Sequence, residues 1–299
     1  MRPVNPVKIG ILSRDRQLYT TKRLLWTVKE IGHDPIFMDT LKISLMVRDT
    51  KFEVYYEEEN LGQIDVVLGR VGASITDYGL AVIRHFELGG TPVVNSSQSI
   101  ADSRDKFRSL QVLTKHGIKV PATMLTRSPT MTMRSVDLLG GMPIVLKMLQ
   151  GTQGIGVMLA ENPAAAESIL ETFWGLGHDI QIQSFIKEAK GRDIRALVID
   201  GQVVAAMKRE STTGEFRSNI HRGGEGKLYI LSPEFEELAI KTAEVLGLKI
   251  AGIDMLESHE GPVVIEANSS PGFEGLERAT HKDVARMILE FLIRFARGP

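Results

Sequence analysis

Two stretches of the chain hold residues whose types and spacing could do chemistry. In the first, Lys147 sits in an apolar run and is followed by Gly151-Thr152-Gln153-Gly154-Ile155-Gly156. Three glycines in six residues let the backbone approach a ligand closely and allow positive φ. Successive free N–H groups in such a turn make a nest for an anion, a phosphate above all. A P-loop is excluded: it needs Gly-Lys-Ser/Thr and then a helix, whereas Ile155-Gly156-Val157-Met158-Leu159 continues as a strand. A Rossmann fingerprint fails for the same reason. The loop therefore joins two strands like a flap. The plain alternative is a Gly-rich hairpin with no ligand.

The second stretch is Val263-Val264-Ile265-Glu266-Ala267-Asn268, with Asp254 in the preceding apolar run 250–256. Residues i and i+2 of a strand share a face, so Glu266 and Asn268 present oxygens side by side. If the two runs pair as a hairpin around residues 258–261, Asp254 joins them. Carboxylates pushed together in a half-buried sheet resist desolvation unless a cation lies between them. Oxygen ligands without Cys or His suit Mg²⁺ or Mn²⁺. The alternative is that one carboxylate faces solvent at a strand edge.

The elements that must position these groups fall into two styles. Strand patterns at 7–12, 35–38, 64–68 and 92–94 alternate with helical spacing at 18–31 and 77–88, which predicts a parallel sheet covered on both faces. Beyond residue 100 the spacing predicts a helix over 102–116, extended chain over 119–126 and an irregular stretch between Ser128-Pro129 and Gly140-Gly141. Closely spaced strands follow at 144–149, 157–160, 180–186, 194–199 and 203–208, with Asp200-Gly201 as a hairpin turn. Helices at 164–174 and 235–246 interrupt them, and a third, at 284–295, is amphipathic and serves packing or a subunit contact. The fold class is thus an α/β N-terminal domain followed by an α+β region dominated by antiparallel sheet.

Composition narrows the chemistry. The chain has 299 residues, 36 Lys+Arg against 37 Asp+Glu for a net charge of −1, and no Cys. This excludes a polybasic nucleic-acid binder as a whole-chain description, and also disulfide scaffolds, zinc-thiolate sites and thiol nucleophiles. Neither a signal-peptide pattern nor a membrane-span pattern is present, so a cytoplasmic location is expected. His33, His85 and His116 near helix ends read as structural, His221 as structural or solvated, and Glu57-Glu58-Glu59 as a solvated loop.

The ordered set Arg104-Asp105-Lys106, Lys147, Gly151 to Gly156, Asp193-Ile194-Arg195, Phe216-Arg217-Ser218-Asn219 and Glu266-Ala267-Asn268-Ser269-Ser270-Pro271-Gly272 resembles the ATP-grasp carboxylate–amine ligases of the RimK type over nearly the whole chain. Members of that type add glutamate to the C-terminus of a small-subunit ribosomal protein. The resemblance implies a pre-ATP-grasp domain at 1–100, a central ATP-grasp subdomain with the flap at 101–185 and a C-terminal subdomain with the metal site at 186–299, the nucleotide lying between antiparallel sheets. It implies that Lys106 and Lys147 hold the ATP phosphates and that Gly151, Thr152, Gln153, Gly154, Ile155 and Gly156 cover them. Ser184, Phe185 and Ile186 would form the hinge against adenine, with Asp193 nearby at the ribose. Arg217, Ser218 and Asn219 would line the ATP site. By the bidentate pairing of arginine with phosphate and carboxylate, Arg217, with Arg209 or Arg222, could steady the acyl phosphate or a second carboxylate. Asp254, Glu266 and Asn268 would hold two Mg²⁺ or Mn²⁺ ions. The implied partners are glutamate and a protein or peptide acceptor, with no direct nucleic acid and no membrane, in a homo-oligomer.

Two other readings stay open: a ligase of the same chemistry with a different carrier-protein or coenzyme acceptor, and a nucleotide-binding regulator without turnover. The hinge departs from the family pattern, with Gln183-Ser184-Phe185 where Gln-Glu-Tyr or Gln-Glu-Phe is usual. Nucleotide affinity would be weaker if a carboxylate matters there.

Overall fold

The computed structural model describes residues 5–149, 156–189, 191–211 and 225–298. The flap residues 151–155 and the stretch carrying Arg217, Ser218, Asn219 and His221 lie outside the described residues.

The N-terminal unit begins with β1 (Lys8–Ser13), α1 (Tyr19–Glu30) and β2 (Asp34–Asp39). Residues 43–60, to which the sequence assigns only an exposed acidic loop, form a small antiparallel sheet of β3 (Ile43–Arg48), β4 (Lys51–Tyr56) and β5 (Glu59–Asn60). Ile43 and Val54 alone are buried in these strands, so the alternation that marks a half-buried strand is faint here. Next come β6 (Val66–Gly69), α2 (Thr76–Leu88) and β7 (Val93–Val94). The parallel sheet has the order β2-β1-β6-β7, as its apolar runs require.

The single helix expected over 102–116 is two helices, α3 (Ser97–Arg104) and α4 (Lys106–Lys115). Asp105 takes an extended conformation between them, and its carboxylate caps α4 by accepting from the N–H groups of Phe107 (3.1 Å) and Arg108 (3.0 Å). The break turns Arg104 and Lys106, only two residues apart, onto separate elements. The stretch expected to be irregular holds α5 (Met131–Leu138), which follows β8 (Thr123–Leu125).

Two antiparallel sheets follow. β9 (Ile144–Met148), β10 (Val157–Ala160), α6 (Pro163–Gly175) and β11 (Ile180–Ser184) complete a sheet of order β10-β9-β11-β8. β12 (Arg192–Ile199), β13 (Gln202–Glu210), β14 (Glu225–Leu228), α7 (Pro233–Val245), β15 (Ile250–Ser258) and β16 (Gly261–Asn268) build a five-stranded sheet of order β14-β13-β12-β15-β16. Asp200 and Gly201 turn between β12 and β13 with φ of 49° and 76°, the pair of positive values that an Asp-Gly hairpin supplies. The chain closes with α8 (Glu274–Thr280) and α9 (Val284–Arg297).

α9 is an internal packing helix. Its buried residues Val284, Ala285, Ile288, Leu289, Phe291 and Leu292 fall on one face. They share a core with Ile9, Ile11 and Leu68 of the parallel sheet and with Leu197, Ala205 and Met207 of the five-stranded sheet. α7 covers the other face of that second sheet, and Leu113 of α4 and Ile118 join its core. Among the described residues no helix is long and apolar enough to cross a membrane.

A buried side chain locks the N-terminal unit to the C-terminal sheet. Asn95 Nδ2 donates to the carbonyls of Ile250 and Ser269, both at 2.8 Å. Its Oδ1 accepts from the N–H groups of Lys249 (2.8 Å) and Ile250 (3.0 Å). Removing the amide strands four backbone groups in a dry seam, so Asn95→Ala should cost about 2–4 kcal/mol. The measurement is the urea unfolding free energy; a loss under about 0.5 kcal/mol contradicts this role.

Candidate active site

The sheet of β8–β11 and the five-stranded sheet each keep one face for a core and turn the other to a shared cleft. On β9, Ile144 and Leu146 pack with Ile180, Ile182 and α6, so Val145 and Lys147 project the opposite way. Lys147 feels the charges of Glu266 and Asp254 across the cleft, and of Lys106 at the start of α4. Burial pulls the Lys147 ammonium down to about 8, Glu266 pulls it back up, and Lys106 adds to the lowering. Lys106 Nζ lies 3.8 Å from Glu266 Oε1. Two lysines from separate elements therefore converge on one carboxylate.

Glu266 stands directly opposite Asp254 on β15, and Asn268 opposite Gly252. The three expected oxygen side chains do come together, through a detail of the sheet. The ladder slips by one residue between Asp254 and Met255, so that Met255 pairs with Val264 and Ile265 is the extra residue. This β-bulge lets Val264 sit fully buried in the α7 core while Glu266, two residues on, lines the cleft.

Asp254 is buried, yet strongly ionised. Arg195 grips it in a two-pronged pair, Nε to Oδ1 at 2.7 Å and Nη2 to Oδ2 at 2.6 Å. Arg209 Nη2 is 3.1 Å from the same Oδ2, and Asn268 Nδ2 donates to it at 3.4 Å. Burial alone would raise the carboxyl; the charges of Arg195 and Arg209 override it and hold it at about 2. Arg209 also pairs with Asp193 through two N–H donors, Nε to Oδ1 at 2.6 Å and Nη2 to Oδ2. Burial disfavours the Arg209 charge, but Asp254 and then Asp193 outweigh it and raise its pKa further. Both oxygens of Asp193 are thus taken by Arg209, and the Arg209 guanidinium is bound between two carboxylates.

At the expected hinge, the Ser184 N–H donates to the Ala122 carbonyl at 2.9 Å. Gln183 is buried, with Nε2 donating to Thr123 Oγ1 at 2.8 Å. Gly156 follows the flap with φ of 77° and a Met148 sulfur 2.7 Å from where a Cβ would lie, so a side chain there meets both strain and a clash. Thr152, Gln153, Gly154 and Ile155, with Gly151, lie outside the described residues, as do Arg217, Ser218 and Asn219. Phe185 and Ile186 lead from β11 into the short turn 187–189.

Sequence reasoning quotes Arg195 and Arg104 as motif letters but assigns them no part. Arg195 was findable: it is two residues from Asp193 on a strand that alternates charged with apolar side chains. Arg70 carries no local signal, because only the packing of the N-terminal unit brings it to the cleft.

As a donor set for a divalent cation, Glu266 and Asn268 offer hard oxygens, and Asn268 leaves Oδ1 for such a contact while Nδ2 faces Asp254. Among the described residues no three His, Cys, Asp or Glu side chains group as a metal centre. The set is two carboxylates and one amide, with Asp254 engaged by arginines; this suits an ion that brings other ligands with it.

Comparison with known proteins bears on this arrangement. A family model for the RimK pre-ATP-grasp domain matches residues 7–100, and one for the RimK-like ATP-grasp domain matches residues 103–292. A probable alpha-L-glutamate ligase of Alcanivorax borkumensis is 48% identical, covering 97% of this chain and 96% of that one. A RimK domain ATP-grasp protein from Sphaerobacter thermophilus superposes with a TM-score of 0.76 at 24% identity, covering 96% of this chain and 100% of that one. The ATP-grasp ligase PsnB, in complex with a minimal precursor, Mg and ADP, gives a TM-score of 0.75 at 19% identity over 97% of this chain and 98% of that one.

The lowered Lys147 pKa is a stability statement. In the unfolded chain the ammonium titrates at the ordinary lysine value of 10.5, in the folded one at about 8, so below about 8 the buried charge costs stability. Lys147→Met should raise the unfolding free energy by about 1–3 kcal/mol at pH 7. The gain should shrink as pH rises from about 8 toward 10.5, where both states lose the proton. Denaturant unfolding across that range checks it; a destabilised Met variant contradicts it.

Proposed function

The chain belongs to the RimK-like ATP-grasp family, and from that premise we propose that it joins L-glutamate to the C-terminal carboxylate of a small-subunit ribosomal protein, or of a poly-glutamate chain already on it. The enzyme is an ATP-dependent carboxylate–amine ligase. The observation that carries the proposal is the meeting of Lys147 and Lys106 at Glu266, itself placed opposite Asp254 by the bulge in β16.

A carboxylate does not react with an amine near neutral pH, because its oxygen is a poor leaving group. In the proposed reaction an acceptor carboxylate oxygen attacks the γ-phosphorus of ATP, ADP leaves, and an acyl phosphate forms. The glutamate amine, having lost its proton, attacks the acyl carbon; inorganic phosphate leaves and the amide remains. Lys106 and Lys147 neutralise the phosphate oxygens as negative charge shifts between them. The flap 151–156 covers the phosphates and keeps water from the acyl phosphate. Ser184, Phe185 and Ile186 line the adenine end, with Arg217, Ser218 and Asn219 around the nucleotide. Asp254, Glu266 and Asn268 would hold two Mg²⁺ or Mn²⁺ ions, which would supply charge neutralisation on the phosphates. Arg209 acts through Asp254, keeping that carboxylate ionised, while Arg217 steadies the acyl phosphate.

Purified protein with ATP, Mg²⁺, L-glutamate and a peptide ending in Glu should release ADP and lengthen the peptide, seen by mass spectrometry. Glu266→Ala should lower turnover roughly 100-fold or more. Tight ATP binding with no ADP over a broad acceptor panel would favour the regulator reading, and a lengthened carrier protein or coenzyme instead of the Glu-ended peptide would favour a different acceptor. Unchanged activity in the Glu266 variant would remove the metal assignment.

A further inference from the structure

Two further arginines near the end of β16, Arg70 and Arg104, are left without an assignment by the phosphate chemistry. Arg70 follows β6 at its carboxyl end, and its N–H donates to the Leu12 carbonyl at 2.8 Å, at the end of β1. β1 lies between β2 and β6, with its helix crossover leading one way and the later strands the other. The crevice outside such strand ends is where open α/β sheets take ligands. The Arg70 guanidinium donates from Nη2 to the Pro271 carbonyl at 3.1 Å and lies 5.9 Å from the Phe273 ring centroid. Arg104, the last residue of α3, donates from Nη2 to the carbonyl of Val71, the neighbour of Arg70. These contacts tie Arg70 to the turn that ends the Glu266–Asn268 strand, and Arg104 to the residue after Arg70.

Each has lost water without gaining a carboxylate. Neither makes an ion pair with an acidic residue among the described residues, whereas Arg195 and Arg209 in the same cleft both do. Burial pulls Arg70 down to about 10, with nothing opposing it. Burial also lowers Arg104, and Glu266 is the charge that counters it. Arg104 Nε and Ser269 Oγ are both buried with no hydrogen-bond partner. Asn95 fixes the Ser269 carbonyl, and Ser270 Oγ reaches the Gly69 carbonyl at 3.2 Å, so the turn carrying Ser269 is held from both sides. Two guanidinium groups without a carboxylate, an unused guanidinium N–H and an unused hydroxyl are donors that an anion would satisfy. A planar fork of N–H donors matches a carboxylate.

We propose that Arg70 and Arg104, with Ser269, hold a substrate carboxylate that is not consumed, binding it from the N-terminal side of the cleft next to Glu266. The inference rests on the ligase reading. Two sources have the right chemistry: a carboxylate of the incoming amino acid, or a carboxylate of the acceptor peptide other than the one activated.

The test uses the full chain with Arg70→Lys, Arg70→Gln, Arg104→Lys and Arg104→Gln, the lysine variants keeping the charge and guarding against misfolding. In steady-state ligation, KM for one carboxylate substrate should rise roughly 10–100-fold in the Gln variants and less in the Lys variants, while KM for ATP stays within about twofold. A shift in KM for glutamate names the amino acid as the source; a shift for the peptide names the acceptor. Replacing the contacted carboxylate by its amide should weaken the wild type as the Gln variants are weakened, and should weaken those variants no further. A merely structural arginine would not erase that discrimination. Changes confined to kcat or to KM for ATP, or no change, overturn the proposal. If the wild type ligates nothing, the ligase reading fails separately. Calorimetric binding of glutarate to the protein loaded with Mg²⁺ and a non-hydrolysable ATP analogue then decides the site: binding lost in the Gln variants upholds it, and equal or absent binding rejects it.

Discussion

Everything in the cleft depends on keeping Asp254 ionised while it is buried opposite a second carboxylate. A carboxyl in that position would by itself take up a proton, and a protonated Asp254 would leave Glu266 without a charged partner for a cation. The fold answers with two arginines from neighbouring strands. Arg195 comes from the residue directly opposite Asp254 on β12, and Arg209 from β13 one strand further. Asp193 then holds Arg209 in place. Such a buried network adds little net stability, because desolvating its members offsets most of the attraction. Its effect is on position: two N–H prongs fix the Asp254 plane, so the sheet presents a defined negative face to the cleft.

That negative face is met by a separate group of cations on other elements. Lys147 comes from the smaller antiparallel sheet, Lys106 from α4, and Arg70 and Arg104 from the N-terminal unit and its exit helix. Among the described residues these four cations outnumber Asp254 and Glu266, the carboxylates of the opposing face. A nucleotide triphosphate and carboxylate substrates reverse that balance when they bind. The cost of gathering the cations shows at Lys147, where burial and Lys106 outweigh the pull of Glu266 and Asp254. A residue that disfavours folding is kept where a function repays that cost.

The sequence made much of this legible, and its failures have physical causes. The alternation of helix and strand in the first hundred residues, the Asp-Gly hairpin and the pairing of the Asp254 and Glu266 strands all follow from local pattern. The split between α3 and α4 does not, since a single capping aspartate inside a continuous helical spacing looks like a surface charge until its side chain is seen to turn back on Phe107 and Arg108. The sheet of β3–β5 escapes because little of it is buried, and hydrophobic period is a record of burial. At the site, the i, i+2 rule correctly puts Glu266 and Asn268 together, yet the same rule would put Val264 with them. Only the bulge at Ile265 separates core from cleft, and a bulge leaves no mark in residue types.

The N-terminal unit is part of the site as well as its support. Asn95 reaches from the end of β7 to Lys249 and Ile250 at the start of β15, and to Ser269 just beyond β16, so one amide sets the register of the hairpin against the parallel sheet. α9 fills the space between that sheet and the back of the five-stranded sheet with a continuous apolar face. The two units therefore cannot slide without opening a core. That rigidity keeps Arg70 on the Pro271 carbonyl and Arg104 within the field of Glu266, where a guanidinium on a loosely joined domain would be solvated. A peptide-bond-forming site must bring a nucleotide, an acceptor and an amine together in one place. Here each wall belongs to a different element: the lysines come from β9 and α4, the bulged hairpin presents Asp254, Glu266 and Asn268, and Arg70 follows a strand of the parallel sheet.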